Sequence, residues 1–311
     1  MNFKSLPQLL DYFKEEETGK EYYANIRWAG NPTCPHCNTD KAYVTTRGYK
    51  CRNSECYKKF TVKTGTIFEN SKIPFRIWFA AIYLATSHKK GISSVQLSID
   101  LGITQKTAWF VLHRIREMLK DKAPQMLGEN NTVEADETYI GGKEGNKHYS
   151  KRRSEENPAL LNNGEVFKDK KVVLGIIERS GRVVLKHVPR ATKTNLQNFI
   201  KSNVSKDSTL YTDDHKGYTG LGNIYTHETV THSLQVYAEG DIHTNTIESF
   251  WSVLKRGLYG VYHQVSEKHL ERYLDEFSSR FNARDLKSEE KIKTFLHQSE
   301  SYLSYKRLIA K

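Results

Sequence analysis

What this 311-residue chain lacks narrows its possible roles before any motif is read. Cysteine is missing everywhere except between Cys34 and Cys56, where all four occur. A disulfide framework is therefore not expected, and the cluster reads as a metal site. No apolar run approaches the roughly 20 residues a membrane-spanning helix needs. The opening MNFKSLPQLLDYFKEEE carries acidic charge where a secretory signal would carry an apolar stretch, so a soluble, cytoplasmic protein with no membrane partner is expected. No GxxxxGK[ST] loop is present to cradle nucleotide phosphates, and no repeat or low-complexity tract is evident. Acidic residues are in the minority, 36 Asp and Glu against 48 Lys and Arg, giving a net charge of +12. The excess gathers in stretches such as Lys143 to Arg153 and Lys168 to Lys171, which favours a polyanionic partner, nucleic acid being the commonest.

Four segments differ in texture. Residues 1–30 are helical, with Leu6, Leu9, Leu10 and Phe13 at helical spacing. Residues 31–66 hold the cysteines among turn residues and short β-prone runs, and residues 67–128 return to helical patterning. Pro124 and Gly128 then break the chain, and 129–311 reads as an α/β domain. In that domain TVEADETYI alternates like a strand. VVLGIIE (172–178) and RVVLKHV (182–188) form a hairpin across Ser180-Gly181, a helix covers 192–203, and strands cover 208–214 and 225–231. Helices follow from His243 to Arg256 and from Ser266 to Ala283, while 143–171 reads as a long polar loop. This order predicts a three-layer, ribonuclease-H-like mixed sheet.

Cys34-Pro-His-Cys37 and Cys51-Arg-Asn-Ser-Glu-Cys56 supply two short knuckles 13 residues apart. Tetrahedral zinc takes four such thiolates, so a structural zinc ribbon is expected, with His36 pointing outward from the first knuckle. A redox CxxC would need a thioredoxin-like βαβ context, which is missing. Between Gly91 and Leu119 the grammar is helix-turn-helix. Ser93 or Ser94 caps a first helix with Val95, Leu97 and Leu101 as its apolar positions; Gly102 allows a left-handed turn, and Thr104 caps a second helix. The second helix offers Gln105, Lys106, Arg114 and Arg116 to DNA.

Three carboxylates stand out in the α/β segment. Asp136 lies mid-strand, with Glu134, Asp136 and Thr138 on one face and Ala135, Glu137 and Tyr139 on the other. Asp213 closes a strand, with Asp214 beside it as a competitor. Glu248 sits on a helix whose apolar face is Ile247, Phe250, Trp251 and Leu254; Lys255, two turns on, shares the face of Glu248. A capping box from Asn245 to Glu248 fits the same spacing. Carboxylates on separate elements suit two divalent ions that stabilise attacking and leaving oxygens in DNA strand transfer.

These residues resemble the zinc-ribbon-bearing, ISXO-type group of DDE transposases from bacterial insertion sequences. The likeness spans nearly the whole chain: the ribbon, Thr64-Gly-Thr-Ile-Phe-Glu, Trp78-Phe-Ala-Ala-Ile-Tyr-Leu, Gln105-Lys-Thr-Ala-Trp with His113-Arg-Ile-Arg, Glu134-Ala-Asp-Glu-Thr-Tyr-Ile-Gly-Gly, Tyr211-Thr-Asp and His243-Thr-Asn-Thr-Ile-Glu-Ser-Phe-Trp-Ser-Val-Leu-Lys-Arg-Gly. The resemblance implies that Asp136 and Asp213 are the first two ligands of catalytic Mg²⁺ or Mn²⁺. Glu248, 35 residues after Asp213, would be the third, and Lys255 the trailing basic residue. Some relatives use an asparagine as the third residue, which leaves Asn245 as an alternative; others have glycine where Asp214 stands. It further implies a homo-oligomer on DNA that binds the element's terminal inverted repeats through ribbon and helix-turn-helix, then cuts and joins them to target DNA. A regulator that binds without cutting, and a nuclease that cuts without joining, are the rival readings.

Overall fold

The computed structural model describes residues 3–121, 125–142, 170–230 and 243–310. The chain divides into two compact units, Met1–Lys120 with Ala283–Lys311, and Asp121–Asn282. Among the described residues no helix is long and apolar enough to cross a membrane. The expected loop over 143–171 lies outside the described residues except at its end.

In the first unit the amphipathic start breaks into α1 (Leu6–Tyr12) and α2 (Glu16–Trp28). Three short antiparallel strands follow: β1 (Ala42–Thr45), β2 (Gly48–Cys51) and β3 (Lys59–Phe60). Helices α3 (Phe75–Ser87), α4 (Ser94–Leu101) and α5 (Gln105–Leu119) complete the run. Tyr23, Phe68, Phe75, Trp78 and Phe79 bury together in its aromatic core.

The helix-turn-helix grammar is realised locally. Ser93 accepts a hydrogen bond from the Gln96 N–H, Gly102 takes the left-handed conformation at φ 63°, and Thr104 accepts from the Thr107 N–H. Leu97 and Leu101 are buried as expected, but Val95 is 57% exposed, because α4 turns it and Ile99 away from the core.

The second unit holds a five-stranded sheet of β4 (Thr132–Ile140), β5 (Lys171–Glu178), β6 (Val183–Val188), β7 (Thr209–Asp213) and β8 (Thr226–Val230) in the order β6-β5-β4-β7-β8. The first three strands are antiparallel neighbours, while β7 and β8 run parallel to β4. That is the ribonuclease-H-like arrangement. Alternation along β5 explains the layers. Leu174 and Ile176 bury under α6 (Lys193–Asn203), whereas Val173 and Ile177 bury under α7 (Asn245–Gly260) and α8 (Glu267–Asn282). The hairpin turns at Ser180, whose φ is 59°, with the Gly181 N–H bonded to the Glu178 carbonyl.

After Asn282 the chain belongs to the first unit again, through α9 (Ser288–His297) and α10 (Tyr305–Ile309). The expected catalytic segment 129–311 is thus too long. Ile292, Phe295 and Leu296 bury in the N-terminal core, which removes them from the sheet's own cores.

Two arginines expected at DNA are instead structural. Arg116 is buried at 1% exposure, and Arg114 at 4%. The Arg114 guanidinium donates to the carbonyls of Leu303, Ile67 and Glu69 and stacks 4.6 Å from the centre of the Phe110 ring. Burial draws its pKa below the ordinary arginine value. It ties the C-terminal segment to the loop before α3. Removing it would strand three carbonyls, at about 1–3 kcal/mol for each one left unsatisfied. Arg114→Ala is expected to destabilise the protein by roughly 3 kcal/mol or more in denaturant unfolding. A stable variant with weakened DNA binding would contradict this assignment.

Candidate active site

The ladder between β4 and β7 closes at Glu134 and Tyr211. Two residues further on come Asp136 and Asp213, where the strands part. A cavity of about 340 Å³ opens there, lined by Asp136, Glu137, Thr138, Asp213, Thr244, Glu248, Trp251, Ser252 and Lys255. Three of the expected acids and the expected lysine therefore line one space. Asp214 is exposed and lies outside it, and Asn245 is exposed at the first turn of α7 and does not line it.

The side chains are held from several directions. Asp136 Oδ1 accepts from the Glu137 N–H at 2.8 Å, and Oδ2 from the Trp251 indole N–H at 2.8 Å. The indole fits because Gly175, opposite Asp136 in β5, has no side chain; a Cβ there would meet the ring at 2.4 Å. Asp213 Oδ1 accepts from the His215 N–H at 3.1 Å, which fixes the turn after β7. Glu248 Oε1 accepts from the Thr244 hydroxyl at 3.0 Å. The helix begins with Thr244 as its N-cap, so the capping box from Asn245 to Glu248 does not form.

Glu134 does the capping instead. Fully buried on β4, it accepts from the Thr246 and Ile247 N–H groups at 2.9 and 3.0 Å and from the Thr246 hydroxyl at 2.8 Å. Arg179 pairs with it at 2.9 Å and also donates to the His243 carbonyl at 3.0 Å. A carboxylate at a helix N-terminus satisfies orphan N–H groups and faces the positive end of the dipole. Alternation had set Glu134 and Asp136 on one face, but nothing in the spacing pointed to a helix start above them.

The electrostatics favour a cation. Burial pushes the Asp136 carboxyl up to about 7, and the neighbouring charges of Glu137 and Asp213 add to this, while the Trp251 hydrogen bond opposes it. Glu137 is also raised, by burial first, although Tyr218 donates to it at 2.7 Å. Glu137 is a fourth acid that alternation placed on the opposite face; its position beside Asp136, where the ladder opens, brings it to the same cavity. Among the described residues only the cysteines gather their ligand atoms within 4.8 Å of one another. The cavity's carboxylates do not form such a group.

The cysteine cluster does fit one ion. Cys34 Sγ lies 3.9 Å from Cys56 Sγ, and Cys37 Sγ 3.5 Å from Cys51 Sγ. A zinc tetrahedron with bonds of about 2.3 Å has sulfur–sulfur edges of roughly 3.8 Å. The residues after the second cysteine of each knuckle, Asn38 and Tyr57, both take positive φ, at 58° and 45°. His36 is exposed and does not join the cluster. At the helix-turn-helix, Gln105 and Lys106 are exposed at the start of α5.

A ribonuclease-H-like sheet with carboxylates converging where its central strands part, in a chain that also carries a zinc ribbon and a helix-turn-helix, has the build of a transposase. Residues 126–282 match the ISXO2-like transposase domain and residues 14–59 the transposase zinc-ribbon domain, and the chain belongs to the ISXO2-like transposase family. It is 29% identical over 293 residues to an uncharacterized protein in transposable element ISH50 of Halobacterium salinarum, covering 91% of this chain and 97% of that protein. It is 33% identical over 103 residues to an uncharacterized transposase-like protein of Haemophilus influenzae, covering 33% of this chain and 82% of that one. Among solved structures it is similar to the Mos1 transposase paired-end complex with left transposon end, at 15% identity and a TM-score of 0.30, covering 76% of this chain and 82% of that one. At that likeness the fold rests on strand order and not on the neighbour.

Zinc removal is expected to unfold the ribbon, because metal binding drives folding of such small modules. Limited proteolysis after chelation should then cut first within 31–66, and unchanged protection there would refute a structural zinc.

Asp136 makes metal-free stability depend on pH. With a folded pKa of about 7 and an unfolded value near 3.9, it holds its proton more tightly when folded. Its contribution is complete below the unfolded value and is lost as pH rises through the folded one. Relative to wild type, Asp136→Asn should therefore gain stability from about pH 4 to about pH 7, by several degrees in Tm, since 1 kcal/mol is worth about 2–4 °C at this size. Added Mg²⁺ should stabilise wild type and narrow the gap. A pH-independent difference would show that Asp136 is not perturbed.

Proposed function

We propose that this transposase cuts DNA at the ends of its element and joins the freed 3′ ends to target DNA, using Asp136, Asp213 and Glu248 to hold two divalent ions. The observation that carries this reading is that these three carboxylates and Lys255 line one cavity although they come from two strands and a helix. Bound there, Mg²⁺ or Mn²⁺ would activate the attacking water or 3′-hydroxyl and stabilise the leaving oxygen.

The chain's own residues do the rest. Trp251 holds Asp136 Oδ2, and the Asp213 turn and Thr244 orient the other two carboxylates. Lys255 offers an ammonium group to a phosphate at the same cavity. Asn245, exposed and off the cavity, is supported less well than Glu248 as third ligand. Gln105 and Lys106 would read terminal inverted repeats from the start of α5, where recognition helices present their base contacts. Two ends must be brought together, so the working form would be a homo-oligomer on DNA.

Asp136→Asn, Asp213→Asn and Glu248→Gln should each reduce metal-dependent cleavage and joining by on the order of 10³-fold or more while leaving DNA affinity in place. Variants that cut normally would remove the assignment. Binding with no cleavage by wild type in Mg²⁺ or Mn²⁺ would favour the non-catalytic regulator, and nicks without joined product would favour a nuclease.

A further inference from the structure

The zinc ribbon has two faces, and cross-strand register assigns each residue to one of them. Tyr49 and Phe60 are paired across β2 and β3, and Trp28 packs against both, with ring centroids at 5.1 and 6.0 Å. The next row, Tyr43–Lys50–Lys59, runs straight across all three strands and points the other way. Arg52 extends this row past the end of β2, its guanidinium 4.3 Å from the centre of the Tyr43 ring. Lys50 sits 5.1 Å from the centre of the Tyr57 ring. Tyr43 and Tyr57 are 48% and 52% exposed, and Arg52 and Lys59 are exposed.

This face is unusual in its charge. Lys50 and Lys59 stand directly opposite each other, a like-charge pair that weakens a sheet. Among the described residues no carboxylate lies within ion-pair distance of Lys50, Arg52 or Lys59. From residue 39 to residue 60 there are six cations, Lys41, Arg47, Lys50, Arg52, Lys58 and Lys59, against two carboxylates, Asp40 and Glu55. A zinc tetrathiolate carries two negative charges, which still leaves the module basic.

We propose that the outer face of the ribbon grips the phosphate backbone of duplex DNA through Lys50, Arg52 and Lys59, without reading its sequence. This rests on the transposase reading and assigns to the ribbon a task separate from end recognition by α5. A polyanion would relieve the Lys50–Lys59 repulsion and neutralise the unpaired guanidinium. The tyrosines favour phosphate contact over base stacking, because a cation already takes one face of each ring and leaves less of it to a base.

The test uses the full-length, zinc-loaded protein and fluorescence anisotropy with two short duplexes, one carrying the element's end and one of scrambled sequence, and with a single strand of the scrambled sequence. Lys50→Gln with Lys59→Gln should weaken both duplexes alike, by roughly 10-fold at about 100 mM salt. Between about 50 and 200 mM salt the slope of log K against log salt should become shallower by about 1.8, two phosphate contacts at about 0.9 each. Zinc content should be unchanged, which separates lost contacts from an unfolded module. Lys106→Gln, in contrast, should reduce the preference for the end over the scrambled duplex.

Wild-type affinity and slope in the double variant would overturn the proposal while leaving the transposase reading standing. A loss confined to single strands would overturn it in favour of base stacking, and a loss confined to the end duplex would overturn it in favour of sequence readout. Failure of the wild type to bind any DNA would remove both readings.

Discussion

The candidate site depends on one buried carboxylate that never enters the cavity. Glu134 caps the start of α7 from the middle of the sheet, and Arg179 balances its charge while holding the backbone at His243. Breaking such a pair by removing one partner costs about 3–5 kcal/mol, because the other charge stays buried and uncompensated. The geometric consequence matters more. Glu134 and Asp136 project from the same face of β4, and Glu248 and Lys255 ride on the helix that Glu134 anchors. The apolar stripe of Ile247, Phe250, Trp251 and Leu254 presses α7 onto the sheet, but such packing tolerates sliding along the helix axis. Two N–H bonds to one carboxylate remove that freedom and set the height of Glu248 over Asp136.

Trp251 adds a second constraint of a different kind. Its ring belongs to the apolar stripe, yet its indole N–H ends on Asp136. Gly175 lets the ring approach β5 closely at the residue paired with Asp136. A single side chain thus couples core packing to the orientation of a carboxylate. The cost appears in the electrostatics: the hydrogen bond lowers the Asp136 pKa, but burial beside Glu137 and Asp213 raises it by more. A domain that keeps four carboxylates around one cavity sacrifices stability unless cations are supplied, and strain of that sort is characteristic of sites shaped for chemistry.

Local chemistry was the legible part of the sequence. The caps at Ser93 and Thr104, the left-handed Gly102, the Ser180 turn and the strand over TVEADETYI each depend on near neighbours, and each appears where the residues indicate. The cysteine spacing is equally local. Glu137, Glu134 and Gly175 were not legible as site residues, because their roles come from elements far along the chain: Tyr218, the start of α7, and Trp251. The return of α9 to the N-terminal core depends likewise on long-range packing, which no boundary signal near Asn282 announces.

The arginines of α5 show why residue type alone misleads. Arg114 and Arg116 sit on the helix whose start carries Gln105 and Lys106, and all four could contact DNA by chemistry. Helical phase sets Arg114 half a turn round from Gln105, while Arg116, three turns along the face of Gln105, is withdrawn from solvent by burial. Arg114 follows Val111 by three residues and Phe110 by four, so it shares their side of α5. There it finds three carbonyls at the ends of other segments, and a guanidinium, with five donors in a fixed fork, can satisfy all of them. A lysine could not span that geometry. The positive charge that composition offers to a polyanion is therefore divided among the described residues: part of it secures the fold from inside, and part is exposed, as at Lys106 on α5 and at Arg52 and Lys59 on the ribbon.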